Sequence, residues 1–173
     1  MSPVIETSRL ILRQPAAEDV ASIVAGVGSY SVAHYLTVVP HPYDAAMATD
    51  WLATLPAAPT PGNAAFAIEL PGKGMIGCVT LIDKLGYWIA QPFWGQGFVT
   101  EAAAALLHWH FAGIGDRTVR SGAHRDNRAS LAVQKKLGFA ETGREMRFVV
   151  SQQREIEHIW TDLTYAAFKA SGR

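Results

Sequence analysis

The tightest constraint on this chain is the segment Trp94-Gly95-Gln96-Gly97, which follows an apolar run at 85–90 and opens into an Ala-rich stretch at 98–111. The pattern is a strand feeding a glycine loop that starts a helix. Glycine lets the backbone take positive φ and come close to a ligand. The first N–H groups of a helix have no partner inside it, and with the helix dipole they form an anion site suited to a pyrophosphate. Thr100 can add a hydroxyl to such a site. Two readings stand at this point: an anion-binding loop, and a plain tight turn between strand and helix. The loop is not a P-loop, because the Gly-Lys-Ser/Thr ending is missing, and it lacks the third glycine of a dinucleotide fingerprint.

Around this loop the spacing predicts a mixed α/β order. Residues 8–14 read as a short strand and 16–26 as a helix. A second helix spans 44–55, with Asp44 as N-cap and Met47, Trp51 and Leu55 recurring every four residues. Strands at 64–70 and 75–83 form a hairpin around Pro71-Gly72-Lys73-Gly74. A third strand covers 85–90, then come the loop, the helix at 98–111 and a strand at 118–123. A helix at 127–137 is capped by Asp126 or Asn127 and closed by Gly138. Strands at 139–150 and 155–164 end the fold. The signals at 29–43 are mixed, and the Pro-rich stretch 56–63 reads as a loop inside one domain covering 1–173. The expected architecture is α/β (α+β mixed): one mostly antiparallel seven-stranded sheet flanked by about four helices.

Composition narrows the function classes. Hydrophobic residues at 49% and charged residues at 17% exclude a disordered polyelectrolyte. Fifteen Lys plus Arg balance fifteen Asp plus Glu, so nothing favours bulk attraction to nucleic acid or an anionic membrane. Cys78 is the only cysteine, which rules out an intramolecular disulfide and argues against a cysteine zinc site. In the context Ile76-Gly77-Cys78-Val79-Thr80 it reads as a buried small hydrophobe rather than a nucleophile. His108 and His110 are two apart on a helix, not the four of a metal pair, so no metal is expected. The N-terminus carries no signal-peptide pattern, and no apolar run reaches the ~18 residues of a membrane span. The expectation is a cytoplasmic protein, monomer or homodimer.

A second informative segment is Asp126-Asn127-Arg128-Ala129-Ser130, leading to Lys135-Lys136-Leu137-Gly138-Phe139. Asn127 and Ser130 share a helix face if Asn127 is in the first turn; a cap and a solvated serine is the alternative. In this order and spacing the two segments resemble the GNAT superfamily of acyl-CoA-dependent N-acetyltransferases, most closely its RimJ/RimL-type branch. The resemblance covers nearly the whole chain. Glu6 to Arg13 with Glu18-Asp19, then His41-Pro42-Tyr43, Met75 to Cys78 and Leu85 to Trp88, look like the corresponding pieces of that branch. One departure is Pro92, where the superfamily loop often has Gln or Arg; Gln91 stands one place earlier.

The resemblance implies direct transfer of an acetyl group from acetyl-CoA to a primary amine, either a protein N-terminal α-amine or a small molecule. The sheet is expected to splay between 85–90 and 118–123, where Trp88, Ile89 and Ala90 would meet the pantetheine arm. The pyrophosphate would sit on the N–H groups of about Gln96 to Thr100, that is Gln96, Gly97, Phe98, Val99 and Thr100, with Gly95 in the same cofactor-binding loop and Trp94 packing beside the cofactor. Asn127 would hold the pantetheine, Ser130 would donate to the leaving thiolate, and a backbone N–H near Ile89 would stabilise the oxyanion. No tyrosine lies on this helix to take the place of Ser130. For the general base the sequence offers Glu69, Glu155, Glu157 and His158, of which Glu157 is the choice. His34 and His41 lie toward the acceptor region. The competing class is a non-catalytic acyl-CoA-binding regulatory module.

Overall fold

The computed structural model describes residues 2–173. The chain begins with β1 (Ile5–Glu6) and β2 (Ile11–Arg13), then α1 (Val20–Val27), a four-residue α2 (Tyr30–Ala33) and α3 (Ala45–Thr54). Next come β3 (Ala64–Leu70), β4 (Gly74–Leu81) and β5 (Leu85–Ile89). The remainder is α4 (Phe98–Ile114), β6 (Val119–His124), α5 (Arg128–Leu137), β7 (Ala140–Val149), β8 (Arg154–Leu163) and α6 (Tyr165–Ala170). The mixed α/β reading holds. Instead of one seven-stranded sheet, however, the described residues form eight strands in two antiparallel sheets, ordered β1-β2-β3-β4-β5 and β6-β8-β7.

Several differences from expectation have local causes. The predicted strand at 8–14 is cut short because Thr7 and Leu10 close a turn: the Thr7 N–H donates to the Leu10 carbonyl, and the Leu10 N–H donates to Thr7 Oγ1, both at 2.9 Å. Helix α2 is a single turn with no side-chain cap, too short to leave a periodic signal. Helix α6 starts at Thr164, whose hydroxyl accepts from the Ala167 N–H; the threonine caps a helix where the sequence suggested only a strand end. In α3, Asp44 does cap the first turn, but the fully buried residue is Ala48, and Met47 faces solvent.

Strand β3 is buried on both faces, which is why it reads as a continuous apolar run rather than an alternating one. Phe66 and Ile68 point into a core shared with α4, α5 and α6, built on Leu106, Leu107, Leu137 and Phe168. Ala67, with Met75 and Cys78 of β4, points to the other side, against Ile23, Val27 and Ala48. The five-stranded sheet is thus sandwiched between α4 and α5 on one face and the α1–α3 layer on the other. Its last strand, β5, abuts β6 without forming a ladder. Only the start of β5 is tied across, where the Ser121 hydroxyl donates to the Leu85 carbonyl at 2.9 Å. From there toward Ile89 the two sheets part.

Candidate active site

The glycine loop sits at the open end of this split. Gly95 (φ +72°) and Gly97 (φ +79°) both lie in the left-handed region, and Gly97 is the N-cap of α4. The first bond of the α4 ladder runs from the Glu101 N–H to the Gly97 carbonyl, 3.1 Å. The N–H groups of Phe98, Val99 and Thr100 therefore have no helical acceptor. Side chains stiffen the loop: Gln96 Nε2 donates to the Pro92 carbonyl (3.1 Å), and the Trp94 indole N–H donates to the Ile89 carbonyl (2.8 Å). Pro92 opens a 3₁₀ turn, and the Gln91 amide oxygen accepts from Ser31 Oγ of α2. Gln91 therefore does not reach over to substitute for the side chain missing at Pro92.

Arg9 is a residue that sequence reasoning did not assign. Its Nη1 donates to the Gln96 carbonyl at 3.0 Å, its guanidinium lies 4.5 Å from the Phe98 ring centre, and it pairs with Glu101 at 2.6 Å. Glu101 also accepts from Thr7 Oγ1, Ser8 Oγ and the Arg9 N–H. Burial pushes the Glu101 carboxyl up, but these hydrogen bonds outweigh it and hold the group below the usual carboxylate range. An Arg9–Glu101 ion pair thus stands at the N-terminus of α4. Arg9 and Gln96 are 87 residues apart, so no sequence window joins them.

The backbone of β5 faces the split in a defined way. The Ala90 N–H is bonded to the Ile76 carbonyl at 2.9 Å, which places Ala90 and Trp88 in the hydrogen-bonded pairs of the β4–β5 ladder. The intervening residues, Tyr87 and Ile89, therefore turn their N–H groups away from β4 and toward β6. Of the three expected strand residues, Ile89 presents its N–H to the split, whereas the Ala90 N–H is consumed by the ladder.

Across the split, Asn127 caps α5, its side-chain oxygen accepting from the Ser130 N–H at 3.1 Å. The cap reading of Asn127 is correct, and its amide N–H₂ remains a donor. Ser130 is not solvated: its hydroxyl lies 2.9 Å from the Tyr87 hydroxyl and 3.3 Å from Gln134 Nε2. Tyr87 also donates to the Ser130 carbonyl at 3.2 Å. Gln134 is buried and held in turn by Thr161 Oγ1, which donates to its amide oxygen at 2.7 Å. Burial raises the Tyr87 pKa more than its hydrogen bonds to Ser130 and Gln134 lower it, so the phenol keeps its proton. The helix carries no tyrosine, but the fold brings one from β5.

A cavity of about 770 Å³ joins these parts. It is lined by Trp88, Ile89, Trp94, Gly95, Gly97, Phe98, Val99, Thr100, Asn127 and Ser130 among the expected residues, and by Tyr87; Ala90 and Gln96 flank it without lining it. On the opposite face of the sheet the same cavity continues into an apolar chamber walled by α1, α2 and the 35–43 segment. His158 lines this cavity and Glu157 does not. The structure thus places Glu157, the expected base, apart from this cavity. Successive residues of β8 project to opposite faces, and Glu157 lies between Arg125 and Arg144, 3.5 Å from each, in a separate surface depression shared with Glu155. Glu69 is likewise spent, paired with Arg13 at 2.5 Å. Cys78 is buried, and that burial pushes its thiol far up, so it carries no thiolate. His34 hydrogen-bonds the Tyr30 carbonyl through Nδ1, and His41 packs on Tyr30. His108 packs on Phe168. Among the described residues no three His, Cys, Asp or Glu side chains cluster as a metal site, and no helix is long and apolar enough to cross a membrane.

Comparisons with known proteins agree with this geometry. Residues 9–140 match the family model for an acetyltransferase (GNAT) domain. The uncharacterized N-acetyltransferase YoaA of Bacillus subtilis (strain 168) is 28% identical over 153 residues, covering 83% of this chain and 86% of that protein. Among solved structures, Mycobacterium smegmatis RimJ in complex with CoA-disulfide shares the fold with a TM-score of 0.77 at 19% identity, covering 99% of this chain and 95% of that one. The ribosomal-protein-S5-alanine acetyltransferase from Vibrio fischeri does so with a TM-score of 0.76 at 16% identity, covering 94% and 97%.

Proposed function

Because this chain belongs to the GNAT acetyltransferase family, and is thus an acetyltransferase, we propose that its donor is acetyl-CoA and its acceptor a primary amine. On this reading residues 1–173 act as one catalytic domain. The observation that carries it is the cleft itself. A helix N-terminus with unpartnered N–H groups stands at one end, an unpaired strand edge runs along its wall, and a half-buried hydroxyl pair lies opposite.

The donor fits these residues in three places. The N–H groups of Phe98, Val99 and Thr100 suit a pyrophosphate, with the Arg9 guanidinium bracing the loop through the Gln96 carbonyl. The N–H of Tyr87 or Ile89 can pair with an amide-rich arm laid in the split. The Asn127 amide can donate from the α5 side. Acetyl-CoA supplies an acyl thioester whose thiolate is displaced when the amine is acylated. The Ile89 N–H is placed to donate to the carbonyl oxygen as negative charge grows there. Ser130 is placed to protonate the thiolate, with Tyr87 orienting its hydroxyl and replacing its proton.

The test is isothermal titration with acetyl-CoA and CoA, with ATP and NAD as controls. The CoA species should bind and the controls should not. Gly97→Val places a branched side chain at a φ of +79°, its Cβ 3.5 Å from Arg9 Nη2, and by distorting the loop it should weaken CoA binding by about tenfold or more while the protein stays folded. Unchanged affinity in a folded variant would remove the loop from the site, and binding of ATP as strong as that of acetyl-CoA would overturn the donor assignment.

A further inference from the structure

We infer that the chamber opposite Ser130 is the acceptor subsite, that it takes a primary amine carried on an apolar, uncharged body, and that the His158 imidazole accepts the amine's proton. The inference rests on the acetyltransferase reading above and goes on to name the substrate class and the base.

The walls are the first argument. The cavity on this face is lined by Val27, Leu36, Val39, Tyr43, Trp51 and Trp88, which are aliphatic or aromatic. Trp88 packs closely on α1 because residue 26 is glycine: a Cβ there would run into the indole ring. Charge is the second argument. Among the residues lining the whole cavity, Asp126 in the β6–α5 turn is the one carboxylate, against Lys84, Arg128, Lys136 and Arg147. A diamine or polyamine would bring a second ammonium into a cavity whose one carboxylate, Asp126, stands against four cations. An amine with a neutral apolar body loses water from both surfaces and meets no such penalty.

His158 is the third argument. It is 5% exposed, lines the cavity, and neither ring nitrogen has a hydrogen-bond partner among the described residues. A buried polar atom without a partner is uncommon and calls for an explanation; an incoming N–H donor supplies one. The ring is held by packing alone, 4.5 Å from Trp160 and 5.8 Å from His124 between ring centres. It occupies space left by Gly122, where a Cβ would collide with the ring and lie 2.7 Å from the Ile159 carbonyl. The charged and titratable groups around it are His124 of β6, Arg147 and, directly across the ladder from it, Glu145 of β7, and Lys84 of the β4–β5 turn, with Asp126 and His34 acting on His124 and Glu145 paired with Arg147 at 3.6 Å. His124 is anchored at 3.1 Å to Thr37 Oγ1. Burial, then Arg147, His124 and Lys84, lower the His158 pKa to about 4. The ring is thus neutral at physiological pH and free to accept.

The step balances. The amine nitrogen bonds to the acyl carbon, the C–S bond breaks, and the proton leaving nitrogen passes to a His158 ring nitrogen and then to water. The thiolate takes a proton from Ser130, restored through Tyr87 from solvent. Nothing is oxidised or reduced. So weak a base takes the proton only once the forming N–C bond has acidified it. The amine must therefore enter already neutral, and kcat/KM should rise with pH until the free amine's own pKa is passed.

The experiment is a steady-state panel at saturating acetyl-CoA. It compares 2-phenylethylamine and a C-terminally amidated Leu-led tripeptide with putrescine and spermidine. Both apolar-bodied amines should exceed the polyamines by about tenfold or more in kcat/KM per amino group, and the better of the two separates a small-molecule from a peptidyl source of the same chemistry. His158→Gln should lower kcat by about 100-fold, with acetyl-CoA affinity by titration unchanged. Val39→Glu, which adds a carboxylate to the chamber, should shift preference toward putrescine. Faster turnover of spermidine, a full-rate His158→Gln enzyme, or failure of both apolar amines while acetyl-CoA still binds would overturn the subsite alone. Failure of the wild-type protein to bind acetyl-CoA would overturn the donor reading beneath it.

Discussion

Tyr87 places its hydroxyl 2.9 Å from Ser130 Oγ and 3.2 Å from the Ser130 carbonyl, so one phenol fixes both ends of the serine. A free serine hydroxyl rotates among three staggered positions; this one is held by Tyr87 and Gln134. Tyr87→Phe keeps the ring in the core and removes only the hydroxyl. It should lower kcat about tenfold, the worth of one hydrogen bond near developing charge, with the KM for acetyl-CoA unmoved. A merely structural role would instead move Tm and KM together. The variant should also alter the alkaline limb of the kcat–pH profile, where the phenol would lose its proton; an unchanged limb would take Tyr87 out of the proton path. Neither Tyr87 nor Arg9 announced itself in the sequence, because each acts on a residue far along the chain (43 and 87 positions away).

At the scale of elements, the N-terminus of α4 must be both open and rigid. Openness comes from backbone: two glycines at positive φ and a helix start with N–H groups to spare. Rigidity comes from the first β-segment, which folds back so that Thr7, Ser8 and Arg9 all bind the Glu101 carboxylate. Glu101 also lies in the first turn of α4, where a negative charge is favoured by the dipole. Glu101→Gln keeps the shape but weakens each of these bonds and leaves Arg9 unpaired. The expected cost is about 1–2 kcal/mol, reduced from the value for buried charged bonds because Arg9 is 45% exposed. A thermal melt should show Tm lower by roughly 2–8 °C for a chain of this size; an unchanged Tm would mean that the segment is held by β1–β2 pairing and packing alone.

For the whole molecule, pH links the burial of three histidines to stability. Burial lowers the pKa of His110, His124 and His158 below the usual value, to about 4 for His158. In the unfolded chain the same rings titrate near 6.5. Between those values the unfolded state binds more protons than the folded one, so the histidines make stability fall as pH drops from about 6.5 toward 4, and their effect levels off below that. The carboxylates Asp19 and Glu101 behave differently. Their pKa values are also lowered, for Asp19 because Arg13 and the Ala16 N–H overcome the effect of burial, and their contribution is lost only at more acidic pH. Tm measured against pH should therefore decline first in the histidine window, and His158→Gln should flatten that decline. A flat Tm down to pH 4.5 in the wild-type protein would contradict it.

Much of this protein was legible in order along the chain. The strand-loop-helix around Gly95 and Gly97, the hairpin at 64–81 and the capped helix from Asn127 depend on local backbone chemistry: positive φ, turn residues and orphan N–H groups. Such features are determined by neighbours in sequence, and the structure kept them. The sequence also offered Glu157 and His158 together, and the choice of Glu157 rested on no local signal, because adjacent strand residues look alike until one face is buried. Tertiary structure made that choice by packing β8 with His158 toward the cleft and Glu157 toward Arg125 and Arg144. It likewise decided that β5 and β6 part beyond Leu85, and that Tyr87 meets Ser130 in the gap. Local periodicity sets what each segment becomes. Which side chains converge across a split sheet is set by burial, which acts between segments that the sequence keeps apart.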